Sequence, residues 1–63
     1  MSNAGLAVRE LLRLADEVGR AIELLSDYDR GNRRAAVGAW DSLWDAGDRL
    51  EAARDYLRCL RTE

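Results

Sequence analysis

The sequence predicts an all-α fold: an antiparallel two-helix hairpin that dimerises into a four-helix bundle. Three observations carry this reading. The 63 residues include no Pro, many Ala, Leu, Arg and Glu and few β-branched residues, a composition that favours helix throughout. Apolar residues recur every seven positions along both halves of the chain. One segment, Asp27-Tyr28-Asp29-Arg30-Gly31-Asn32, breaks the pattern with residues suited to a turn.

The first helix is expected over about residues 4–29. Ala4, Leu11, Val18 and Leu25 form one row, and Ala7, Leu14, Ala21 and Tyr28 the next. Val8, Ala15 and Ile22 flank them and widen the stripe, while Arg9, Asp16 and Glu23 lie opposite. The turn follows at 30–32, with Gly31 suited to a left-handed position past the helix end and Asn32 to capping the next helix. The second helix is expected over about 33–61. Its rows are Ala36, Leu43, Leu50 and Leu57, and Ala39, Ala46, Ala53 and Leu60, with Arg34, Asp41, Asp48 and Asp55 opposite. So short a link makes the helices antiparallel neighbours. Folding about it sets Leu25 against Ala36, Val18 against Leu43, Leu14 against Ala46 or Gly47, and Leu11 against Leu50. Large then meets small at most levels.

A hairpin alone leaves too much apolar surface uncovered. Val37, Trp40 and Trp44 project beside the seam of the second helix, with Leu43 and Gly47 next to them. Leu12 and Leu24 fall outside the stripe of the first. Gly19, Gly38 and Gly47 sit inside helices, where each costs about 1 kcal/mol relative to Ala, so close packing is expected over at least one of them. Folding would hide roughly 6,000 Å². At about 60% apolar and ~25 cal/mol per Å², this contributes on the order of 90 kcal/mol. Ordering the chain costs about the same. A single hairpin is therefore marginal, and the expected remedy is a homodimer with Val37, Trp40, Leu43, Trp44 and Gly47 at or beside its interface. The same patch would also serve to dock a different protein.

Composition removes several kinds of chemistry. There is no His, so no His-based triad, imidazole ligand or base poised near neutrality. One Cys cannot form an internal disulfide or a multi-thiolate zinc site, and Cys59 near a helix C-terminus is badly placed to be a thiolate. No catalytic residue, metal ligand or cofactor site is expected, and no enzyme. The net charge of −2 gives no overall pull toward nucleic acid or anionic membrane. All ten basic residues are Arg, as G+C-rich coding would produce. The start lacks a basic, apolar leader pattern, and no run is long enough to span a membrane, so a reducing cytoplasm is the expected setting. Ser2-Asn3-Ala4 resembles a cloning remnant.

Three charged groups have alternative readings. Asp41, Asp45, Asp48 and Asp55 share one helical face, either as a solvated outer surface or as a docking face that mimics nucleic acid. Arg30, Arg33 and Arg34 at the turn can offset Asp27 and Asp29, or engage phosphate or an acidic partner. Arg54 and Arg58 suit the negative end of the second helix, or contact with RNA.

On the heptad rows and the small residues Ala39, Ala46 and Ala53, the chain resembles Rop-type plasmid copy-number regulators. The resemblance covers both expected helices. It implies a dimer of hairpins forming a four-helix bundle and, as an alternative function, binding of paired RNA loops; no individual residue is carried over. The leading expectation is a small interaction or regulatory protein that binds and blocks or bridges a protein partner, in the manner of phage or mobile-element inhibitors. The alternatives are an RNA-binding regulator and an acidic mimic that inhibits a defence nuclease or polymerase.

Overall fold

The computed structural model of the chain describes residues 2–61. Two helices of 27 residues each, α1 (Asn3–Asp29) and α2 (Ala35–Arg61), fold back on one another as a hairpin. Ser2 starts α1: its Oγ accepts a hydrogen bond from the Gly5 N–H at 3.0 Å, and its carbonyl accepts from Leu6 at 2.9 Å. That is an N-cap: the side chain satisfies the Gly5 N–H, which the first turn would leave unmatched, and the Leu6 bond is the first of the helix's own i to i−4 series. It gives Ser2 a role that its resemblance to a cloning remnant hid.

The helix ends where Gly31 takes φ 113°, a conformation that side chains with a Cβ rarely adopt. The Gly31 N–H donates to the Tyr28 carbonyl at 3.0 Å and the Asn32 N–H to the Asp27 carbonyl at 3.0 Å. This pair of bonds is the Schellman motif, which closes the last turn and reverses the chain. The connection runs two residues beyond the expected turn: Arg33 and Arg34 precede α2. Asn32, Arg33 and Arg34 offer their carbonyls to the N–H groups of Ala35, Ala36 and Val37. Three successive i to i+3 bonds wind the entry to α2 more tightly than an α-helix.

The seam between the helices is lined by alanine. On α2 it follows Ala35, Ala39, Ser42, Ala46, Arg49 and Ala53, and on α1 Ala7, Glu10, Leu14, Glu17, Ala21 and Leu24. Steps of three and four alternate without a break, a seven-residue period that keeps two helices in register only if they coil around each other. The Cα envelope, 50 × 13 × 13 Å, agrees. Two straight rods whose Cα cylinders are about 5 Å across would make a flat pair rather than one of equal width in both directions.

Here the structure corrects the expected pairing. The row Ala39, Ala46, Ala53 enters the seam, but its companion is Ala35, Ser42, Arg49 and Tyr56, not Ala36, Leu43, Leu50 and Leu57. On α1, Ala7, Leu14 and Ala21 face α2, whereas Leu11 and Leu25 point away and are more than two-fifths exposed. Leu11 with Leu50 and Leu25 with Ala36 are therefore not enclosed pairs. The physical reason is size. Helices approach most closely along their smallest side chains, and α2 carries Ala, Ala, Ser and Ala at successive levels of that line. Bulkier leucines one position further round would hold the backbones apart.

Candidate functional site

The buried core of the hairpin consists of Ala7, Ala21, Ala35, Ala39, Ala46 and Ala53, with Ser42 the buried polar residue beside them. Among the described residues, no large side chain is fully enclosed. The large apolar side chains stand elsewhere, and their positions follow a rule. Each seam residue is followed by one turned to the side: Val8, Leu11, Ala15, Val18, Ile22 and Leu25 on α1; Ala36, Trp40, Leu43, Gly47, Leu50 and Arg54 on α2, with Leu57 continuing the row after Tyr56. One residue forward is a turn of about 100° around a helix. Because the helices run in opposite directions, those turns have opposite senses in space and bring both stripes to the same side of the hairpin. The result is one apolar face along the rod.

Trp40 and Trp44 dominate the half of this face nearer the turn. Each is 67% exposed, and their rings stack at 6.3 Å between centroids and 29° between planes. With Leu43 they line a shallow apolar hollow, and Leu43 and Trp44 extend it over Gly47 toward Asp48 and Glu51. Val37 lies at the outer edge, 68% exposed. The five residues expected at an interface are thus gathered on one surface. Leu50, Leu57, Val8, Leu11, Ile22 and Leu25 belong to it as well, though the heptad rows placed several of them in the seam. A signal for this lay in the charges: Glu10 and Arg49 occupy matching levels of the alternating line that forms the true seam.

The glycines divide by environment. A Cβ on Gly38 would meet Leu24 Cδ1 at 3.1 Å, so this glycine lets α1 pack close. Gly19 and Gly47 have nothing within 4 Å of a Cβ position. Nothing inside the hairpin requires Gly47 to be glycine.

The opposite side of the rod is charged. One residue back from the seam stand Arg9, Arg13, Asp16, Arg20 and Glu23 on α1, and Asp41, Asp45, Asp48 and Asp55 on α2. A shallow groove lined by Glu17, Arg20, Leu24, Gly38, Asp41 and Ser42 crosses the seam here and joins the two sets. The four aspartates do share one face, but arginines accompany them. Asp45 Oδ2 is 4.0 Å from Arg49 Nε, and Asp55 Oδ1 is 4.0 Å from Arg58 Nη1.

The candidate basic residues are not brought together. Arg30, Arg33 and Arg34 lie at the connection, with Arg30 Nη1 3.9 Å from Asp27 Oδ1. Arg54 and Arg58 sit roughly 30 Å further along α2, a distance set by the helical rise, where they line shallow grooves with Leu50, Leu57 and Arg61. Cys59 is exposed on the same stretch. Among the described residues, no three carboxylate or thiol groups converge as metal ligands would, and no helix is long and apolar enough to cross a membrane. Comparison with known protein families, with curated proteins and with solved structures yields no match.

Proposed function

We propose that the protein is a non-enzymatic interaction module that docks its apolar face against a helical protein surface and so bridges or blocks its partner. One observation carries this reading: alanines fill the hairpin while two tryptophans and a row of leucines line its outside. A Trp buries about 150–250 Å² when covered, and apolar patches of this extent on small proteins mark interaction surfaces. The charged side keeps the module in water and fixes which face is free to dock. The His-free composition supports a role in binding rather than catalysis. The RNA and acidic-mimic readings draw less support, because the arginines divide between two ends of the rod and arginines flank the aspartates.

Site-specific photo-crosslinking in the cell that makes the protein tests this directly. A photoreactive phenylalanine analogue at Trp44 should yield protein adducts, of whatever identity, and the same group at Arg20, in the groove on the charged side, should not. Adducts from Arg20 alone, or from neither position, would remove the apolar face as the working surface.

A further inference from the structure

We propose that the occupant of the apolar face is a second copy of this chain, packed with its turn at the opposite end, so that each Arg54 guanidinium lies on the Trp40 indole of the other copy. This rests on the interaction reading above and names its partner and geometry.

Area comes first. The hairpin exposes 5007 Å², about 900 Å² more than the ~4,100 Å² expected of a compact protein of 7.1 kDa. Each partner in a standard interface contributes about 800 Å². The surplus is therefore the size of one partner's share of a standard interface, spread along a rod 50 Å long. A partner must be as long as the face it covers, and this chain is such a partner.

Shape decides the orientation. Ala15 and Gly47 stand at the same level near the middle of the rod and form a waist in the face. Between waist and turn the face is thick, built on Ile22 and Trp40 with Trp44 at its outer edge; beyond the waist Val8 and Arg54 take the positions corresponding to Ile22 and Trp40. The face is a wedge. Two such wedges keep a constant separation only when one is inverted. Stacking turn on turn would crowd four indoles at one end and open a gap at the other, against the close packing that interiors require. Inversion lays α2 along α2 of the other copy, with the two-fold axis passing beside Gly47. Trp40 lies seven residues before that point and Arg54 seven after, so each faces the other across the axis.

Two otherwise unexplained residues then acquire a cause. Arg54 is the charged side chain in an apolar stripe, and over an indole its stem packs while its guanidinium gains a cation–π contact. Gly47 gives up helix propensity without meeting anything in its own chain. At a two-fold axis between crossing helices, the missing Cβ is what permits close approach.

The test uses the full chain with Cys59→Ser. Sedimentation equilibrium should report a dimer at tens of micromolar. Under mild oxidation Ala15→Cys and Gly47→Cys should each form a disulfide with its own kind, and an equal mixture of the two should give no mixed species. A dimer that forms only the mixed species has its turns together, which overturns the orientation but leaves the apolar face as the interface. Should a new Cβ at Gly47 disturb assembly, the Trp40→Leu and Arg54→Ala cycle reads the same geometry. Each single change should raise the dissociation constant, and the pair should fall short of the product of the two by about fivefold. Additive effects would overturn the Trp40–Arg54 contact. A stable helical monomer would overturn the second copy as occupant. Adducts from Trp44 to other proteins would then still support the interaction reading, whereas their absence would end both.

Discussion

Glu10 and Arg49 join the two helices across the seam, with Arg49 Nη1 3.2 Å from Glu10 Oε2 and both side chains mostly shielded from water. Arg49 Nε is buried without a hydrogen bond, 4.0 Å from Asp45 Oδ2. A charged pair of this kind fixes which faces meet, because rotating either helix would strand one partner. Glu10→Ala should therefore destabilise the hairpin by about 1–2 kcal/mol, leaving Arg49 with its weaker contact to Asp45. Glu10→Met combined with Arg49→Leu should recover much of that loss. Urea melts of Glu10→Met, Arg49→Leu and the double supply the cycle, and an additive result would count against the coupling.

Ala53 is 1% exposed and lies where the helix backbones approach. Ala53→Leu should cost about 1–3 kcal/mol, since the extra atoms can be housed only by separating the helices. The same change at Ala52, one step round the helix and only half-buried, should cost less. Thermal denaturation followed by circular dichroism at matched protein concentration distinguishes them.

Gly31→Ala should destabilise by about 1–2 kcal/mol, because φ 113° strains any residue with a Cβ. Gly31→Asn should cost less, as Asn tolerates left-handed backbone better. If the alanine variant melts with the parent, the turn is not held in this conformation in solution.

Gly19→Ala and Gly47→Ala make a contrasting pair. Neither Cβ meets anything within the chain, so each should add about 1 kcal/mol of helix propensity. Gly19 lies away from the apolar face and should raise the melting temperature with dimer affinity unchanged. Gly47→Ala should weaken association by severalfold despite the same local gain. Identical behaviour in sedimentation would mean that no close helix crossing occurs at Gly47.

Much of this architecture was readable from residues alone. The lack of Pro, the seven-residue recurrence and the run Asp29-Arg30-Gly31-Asn32 determine two helices and the place where the chain reverses, because these are local consequences of backbone geometry. The apolar excess around Trp40 and Trp44 is equally a matter of composition and period. Which row of α2 faces α1 is not local. Ala36-Leu43-Leu50-Leu57 and Ala35-Ser42-Arg49-Tyr56 lie only about 100° apart, and hydrophobicity alone favours the leucines. The structure takes the smaller and more polar row, because close backbone approach and the Glu10–Arg49 pair act between helices and exist only once both are in place. That rotation leaves the leucines and tryptophans outside on one continuous face. Periodicity counts apolar residues along a single helix; tertiary packing alone decides which of them the hairpin encloses and which it leaves exposed.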